Sequence, residues 1–214
     1  MMKMNKGVIA LSFLPALITL FVYRYLPERI PMHWGISGEI DRWGSRTGVW
    51  LFPAIIIFLA LIIQLAPKID PRKENYKKFD KIYHILCYTI VLVFTVIYLA
   101  TLVLAFAPDS FRIEMIIKLV FGILFIMLGN FMPKIKHNYF IGMRMPWTLD
   151  DEEVWNKTHR MAGWFWFLGG AAIIAGAFIH GILGAVLFFV IIALMVIVPA
   201  IYSYLVSRKI KQNK

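Results

Sequence analysis

The sequence predicts an all-alpha, polytopic integral membrane helical bundle with six transmembrane helices and a short interfacial amphipathic helix. Three observations predict it. Of the 214 residues, 60% are hydrophobic and only 16% are charged, against about a quarter in soluble domains. Several apolar runs exceed the roughly 17 residues that a helix needs to cross a hydrocarbon core about 30 Å thick. The connections between those runs alternate between rich and poor in Lys and Arg, as expected of a chain threaded back and forth across a bilayer.

The spans fall at 7–26, 49–66, 84–106, 113–132, 164–180 and 183–205. The first follows Lys3 and Lys6 but lacks a small-residue cleavage pattern, so it reads as a retained helix. Pro108, Asp109 and Ser110 turn span three into four, and Gly181 turns five into six. Cys87 is the single cysteine, so no intrachain disulfide forms. Gly169, Ala172 and Gly176 form a small-residue strip on span five that admits close helix approach. The strip fits either span six or a homo-oligomer face. Residues 1–82 read as an N-terminal membrane domain with two spans, an ordered outer loop and a basic inner loop. Residues 83–214 read as a four-span membrane domain.

Sidedness follows from the cations. Lys3 and Lys6 precede span one, and Lys68, Arg72, Lys73, Lys77, Lys78 and Lys81 lie between spans two and three. Lys134, Lys136, Arg144, Lys157 and Arg160 lie between spans four and five, and Arg208, Lys209, Lys211 and Lys214 follow span six. The opposite side has only Arg29, Arg42, Arg46 and Arg112. The positive-inside rule places both termini in the cytoplasm. Anionic membrane lipids facing these cations account for the net charge of +11, and no direct nucleic-acid partner is implied.

The outer loop from Leu26 to Gly44 is dense in turn formers. Pro27 and Pro31 bias their preceding residues away from helix. Trp34, Trp43 and Trp50 suit the headgroup layer. The loop reads either as an ordered cap on the bilayer or as a recognition surface built from Arg29, His33, Trp34, Glu39, Asp41, Arg42 and Trp43. In span four, Glu114 and Lys118 stand four apart on one helix face. There they pair, or line a cavity open to the outside together with Arg24 and His180. His33 with Asp41 or Glu39 has the makings of an acid–base pair. Yet the sequence holds no serine nucleophile elbow and no HExxH, and its five histidines show no metal-ligand spacing. No enzyme activity, cofactor or metal is expected.

The inner connection before span five is the most structured polar sequence. Thr148 reads as an N-cap with Asp151 in the capping-box position. The acidic run from Asp150 to Glu153 suits the positive end of a helix dipole. Val154, Trp155, Thr158, Met161 and Ala162 form the apolar stripe of an amphipathic helix that lies on the inner interface and turns at Gly163 into span five.

Two sets of residues carry a family resemblance. Asn130-Phe131-Met132-Pro133-Lys134, the run from Asn138 to Leu149, Val154-Trp155, Thr158-His159-Arg160 and Gly163 resemble the signature of the SdpI family of bacterial toxin-immunity membrane proteins. Leu26-Pro27, Ile30-Pro31, His33-Trp34, Gly38 and Asp41-Arg42-Trp43-Gly44 resemble the small membrane domain commonly fused ahead of it. The resemblance makes residues 83–214 the SdpI-like part. It implies a bacterial plasma-membrane protein that confers resistance to a secreted peptide toxin. In the family's archetype it also implies signal transduction, by holding an ArsR-type repressor at the membrane. No enzymatic activity is implied. The family positions carried here are Asn138, Gly142, Arg144, Pro146, Trp147, Trp155, Thr158, His159 and Arg160, which are candidates for docking a cytoplasmic partner. The outer residues Arg29, His33, Trp34, Glu39, Asp41, Arg42 and Trp43, with Glu114 and Lys118, are the candidate toxin contacts. The alternative is a small-molecule or peptide transporter, or a membrane sensor without immunity activity. The mostly apolar middles of the spans speak against a transporter.

Overall fold

In the computed structural model, which describes residues 3–212, six helices are long and apolar enough to cross a membrane: Lys6–Tyr25, Arg46–Ile69, Asp80–Phe106, Ile113–Lys134, Glu152–Phe178 and Gly181–Gln212. Each lies over a span read from hydropathy, so the all-alpha membrane bundle stands. Lys214, counted above with the cations of the tail, lies outside the described residues.

The regular elements are α1 (Lys6–Val22), β1 (Arg29–Trp34), β2 (Ile40–Ser45), α2 (Leu51–Ile69), α3 (Asp80–Phe106), α4 (Ile113–Phe131), α5 (Pro146–Asp150), α6 (Glu152–Ala175) and α7 (Gly181–Gln212). Asn5 caps α1 by accepting from the amides of Gly7 and Val8. Gln64 holds both the amide and the carbonyl of Asn5, at 2.8 Å each. That contact fastens the start of α1 to the end of α2. The central post is α3: 56% of its apolar stretch is buried in protein, against 17% for α7.

In lipid, helices gain no hydrophobic effect from meeting one another, so close fit and polar contacts must hold them. Prolines supply some of the polar contacts. Pro67 has no N–H, which leaves the Ile63 carbonyl one turn back without its helical donor; the Tyr83 hydroxyl from α3 donates to it. Pro199 does the same to Met195 in α7, and the indole N–H of Trp166 in α6 donates to that carbonyl at 2.9 Å. Each proline thus becomes a cross-link between helices, as a membrane requires of any freed backbone group.

Helices α4 and α6 approach closely at facing glycines. A Cβ on Gly129 would meet the Gly163 carbonyl and the Phe167 backbone; one on Gly170 would meet the Gly122 carbonyl. Gly122 and Gly129 therefore face Gly170 and Gly163 in antiparallel register. The strip read at Gly169, Ala172 and Gly176 is not this contact: Gly169 abuts Met195 of α7, and a Cβ on Gly176 would meet open space.

Three local readings are corrected. The outer loop is a two-stranded antiparallel hairpin, pairing Arg29 with Ser45 through Trp34 with Ile40, with an irregular register around His33. Pro31 is tolerated because each strand has a free edge. Such a hairpin is marginal alone; here Ile30 is 4% exposed within the main core, and Trp34 packs on Ala100, Leu104 and Ile113. Second, α6 runs unbroken through Gly163, so the amphipathic segment is the first part of span five. Its Val154, Trp155, Thr158 and Ala162 are buried in protein instead of lying on the interface. Third, Asp151 and not Thr148 caps α6, accepting from the amides of Glu153 and Val154.

Two faces result. A basic face gathers the start of α1, the 70–79 connection, the 132–151 connection and the end of α7. A hairpin face gathers β1, β2 and the turns at 107–112 and 179–180. Between them, side chains such as Phe21 (74% exposed) and Phe178 (68%) stand bare, an arrangement suited to lipid and liable to aggregate in water.

The glycine contact sets one test. Gly129→Val should lower stability in detergent by roughly 1–3 kcal/mol, the usual cost of overfilling a tight contact. Gly176→Ala should change it little. Thermal unfolding of both variants checks this.

Candidate functional site

On the hairpin face, a cleft of about 660 Å³ opens between the hairpin and the turn from α3 to α4. Trp34, Ile40, Trp43 and Phe111 supply its apolar walls, and Glu39, Asp109 and Arg112 its charges. The Ser37 hydroxyl donates to Glu39 at 2.5 Å, and this bond holds the Glu39 carboxyl below its ordinary range. A second groove of about 570 Å³ lies beyond Trp43 and is lined by Tyr23, Glu28, Arg29 and Arg46. The residues expected to act together on this face therefore divide. Trp34 and Glu39 belong to the cleft, Arg29 belongs to the groove, and Trp43 walls both. His33 Nδ1 meets Asp41 Oδ1 at 2.7 Å, an exposed pair across the hairpin. Arg42 stands opposite His33 in the register.

Glu114 and Lys118 do not pair. Glu114 sits beneath the hairpin tip and turns to His180 Nδ1 at 3.2 Å, the Gly181 amide at 3.4 Å and Arg112 at 3.7 Å. Its Oε2 is buried, has no hydrogen-bond partner among the described residues and lies against Gly38, where a Cβ would strike it. Gly38 has φ +87°, a region open to glycine. One carboxylate thus touches the hairpin, the start of α4 and the α6–α7 turn. Lys118 turns away from Glu114. It is 5% exposed and donates to the Ile179 carbonyl at 2.6 Å, a carbonyl beyond the end of α6 that needs a donor.

On the basic face, one family position, Asn138, joins a buried polar knot around Asp70. Asp70 is 2% exposed and accepts from the Arg72 amide at 2.7 Å, the Tyr76 hydroxyl at 2.8 Å and the Tyr139 amide at 2.9 Å. Asn138 Oδ1 accepts from the amides of Phe140 and Ile141 and stands 3.2 Å from the Tyr76 hydroxyl as a second acceptor for its one proton, while its Nδ2 donates to the carbonyls of Lys136 and Ile141. Burial and the Asp70 carboxylate push the Tyr76 phenol above its ordinary range. The Arg72 guanidinium donates to the Leu149 carbonyl and lies over the Tyr139 ring.

His159 stacks on Trp155 at 3.9 Å between ring centroids. Its Nδ1 lies 2.8 Å from the Trp155 carbonyl and its Nε2 accepts from the Met143 amide at 3.2 Å. A carbonyl can only accept, so Nδ1 carries the proton and the imidazole is neutral. Both nitrogens are engaged structurally, which removes His159 as an acid–base group. Gly142, at φ +113°, leaves room for that ring: a Cβ there would strike Nε2. Trp155 donates to the Ile135 carbonyl, and Trp147 to the Ser203 hydroxyl on α7. Pro146 opens α5, and Thr148 bridges the Met145 amide and the Met143 carbonyl. Thr158 is fully buried, and its hydroxyl has no hydrogen-bond partner among the described residues. Arg144 and Arg160 are exposed, Arg144 donating to the Tyr139 carbonyl. His137 is 5% exposed and tilts over Trp155. Burial, aided by nearby Arg72, holds its pKa below the usual value. Among the described residues, no three His, Cys, Asp or Glu side chains are placed to hold a metal ion.

Residues 134–203 match the SdpI/YfhL protein family, and residues 10–57 match a domain of unknown function, DUF1648. The immunity protein SdpI of Bacillus subtilis is 26% identical over 207 residues, covering 97% of this chain and 96% of that one. An uncharacterized protein of Archaeoglobus fulgidus is 38% identical over 69 residues, covering 32% of this chain and 36% of that one. No solved structure matches. The resemblance read from the motifs is borne out: Asn138 to Arg160 lie inside the SdpI/YfhL segment, and the hairpin lies inside the other.

Two measurements test the knot. Asp70→Ala leaves the Arg72 and Tyr139 amides without an acceptor and should lower stability by roughly 3 kcal/mol, whereas Tyr76→Phe should lower it by roughly 1 kcal/mol; unfolding in detergent separates them. Because His137 has a lowered pKa in the fold, its contribution is present above the ordinary histidine value of about 6.5 and is lost as pH falls below it. Melting temperature should fall less steeply below that pH in His137→Gln than in the wild type.

Proposed function

We propose that this chain, with its SdpI/YfhL-family segment, is a membrane immunity protein that protects its cell from a secreted, membrane-active peptide toxin. The observation that carries the reading is the end-to-end similarity to the SdpI immunity protein of Bacillus subtilis. The cleft beside the hairpin supports it. A peptide arriving in the headgroup layer finds tryptophan walls for its apolar side chains, and Glu39, Asp109 and Arg112 for its polar ones. Cations crowd the opposite face, which supports a bacterial plasma-membrane location with both termini cytoplasmic and the hairpin outside.

A signalling arm, the retention of an ArsR-type repressor, would fall to the basic face. The polar knot favours it, because the knot fixes the 70–79 and 136–149 connections into one surface that displays exposed Lys73, Lys77, Lys78 and Arg144. A tagged regulator that stays in the cytosol with toxin present would remove this arm and leave immunity standing.

Expression in a toxin-sensitive strain tests the main reading. Cells carrying the protein should survive exposure, and survival equal to that of cells without it would reject the proposal. Trp34→Ala with Trp43→Ala should abolish protection while the protein remains in the membrane. Arg29→Ala and His33→Ala, outside the cleft, should weaken protection less.

A further inference from the structure

The first turns of α6 and the last turns of α7 enclose a groove of about 1220 Å³, separate from the hairpin-face cleft. Its chemistry changes along its length. Glu153, Asn156 and Lys157 lie at the mouth from α6, and Lys209 from α7. Deeper toward the bilayer the walls become Met161, Trp164, Leu205 and Val206. Arg160 marks the change, about 12 Å along the helix from Glu152. A second cavity of about 280 Å³ on the α4 side is lined by Asn130, Pro133, Phe167 and again Arg160 and Trp164. These two side chains form a ridge shared by both spaces.

The charges of the groove are unequally matched. Lys157 is held by Glu153 at 2.7 Å. Arg160 and Lys209 are exposed and form no ion pair among the described residues. The neighbouring Lys211 lies 3.8 Å from Asp150, a loose surface pair. Two uncompensated cations therefore stand over an apolar channel, with a tryptophan that is 68% exposed at the boundary. Tryptophan and arginine both favour the headgroup level, and basic recesses between spans on this side of a membrane suit phospholipid headgroups.

We infer that this groove is a binding site for one anionic phospholipid, with Arg160 and Lys209 on the headgroup phosphate and Trp164 and Leu205 beside the glycerol and upper acyl chain. The ligand is a lipid and not a free phosphate or an acidic peptide, because half of the groove is apolar and faces hydrocarbon. The lipid would brace α6 against α7 on the side where the Trp147–Ser203 bond already joins α7 to α5. The site does not rest on the immunity reading.

Native mass spectrometry of the full chain in detergent tests it, with dioleoyl phosphatidylglycerol and dioleoyl phosphatidylcholine as probes. The wild type should retain phosphatidylglycerol in preference. Arg160→Gln and Lys209→Gln, on different helices, should each reduce that retention about fivefold, the effect of removing one cation near the headgroups. Lys78→Gln, on the same face but away from the groove, should leave it unchanged. Equal retention of the two lipids would overturn the site. So would a Lys78→Gln loss as large as that of Arg160→Gln, since that is the signature of diffuse attraction. Monodisperse elution of each variant shows that it is folded.

Discussion

Where α2 leaves the bilayer, the Asp70 carboxylate accepts from Arg72, Tyr76 and Tyr139, and through Tyr76 it is continuous with Asn138. A buried carboxylate is tolerated only when its oxygens are satisfied, so the groups that satisfy it are held where they are. Those groups come from two connections far apart in sequence. Around them the 136–149 loop folds, and that loop in turn positions Gly142 and Met143 against His159 of the His159–Trp155 stack, with Thr148 holding the Met143 carbonyl. The first part of α6 is buried because this lid covers it.

The hairpin face depends on a weaker version of the same logic. Glu114 is a hub with one oxygen satisfied and the other pressed against the Gly38 backbone. The spans themselves are joined by shape and by the carbonyls that prolines release. The structure thus places its polar effort at the two membrane faces and leaves the middle to glycine contacts and aromatic donors, as a solvent without hydrogen bonds requires.

Much of this was legible in the sequence, for physical reasons. Span number and placement follow from run length, because a bilayer sets a minimum that few other structures meet. The family resemblance of the 138–160 motif was also readable. Its role was not: Trp155 and His159 look like one stripe of an amphipathic helix, and only the lid folded over them shows why they are buried in protein. Glu114 and Lys118 have ideal spacing for a pair, yet each finds a partner from the α6–α7 turn, which helix periodicity cannot foresee. The hairpin strands lack clean alternation because the register slips near His33. Asp70 was missed outright. The available signal was an acid just before Pro71 at the end of a span, the first of three acids in a connection crowded with cations.

The 32 residues of α7 make a rod about 48 Å long, while the hydrocarbon it crosses is about 30 Å thick. The surplus has to tilt or to stand clear of the lipid. Trp147 ties the rod to α5 at Ser203, which limits how far it can lean. The last turns, with Lys209 and Lys211, therefore ride at a height set by membrane thickness, and a thicker bilayer would draw them down toward the phosphates while a thinner one would lift them into water.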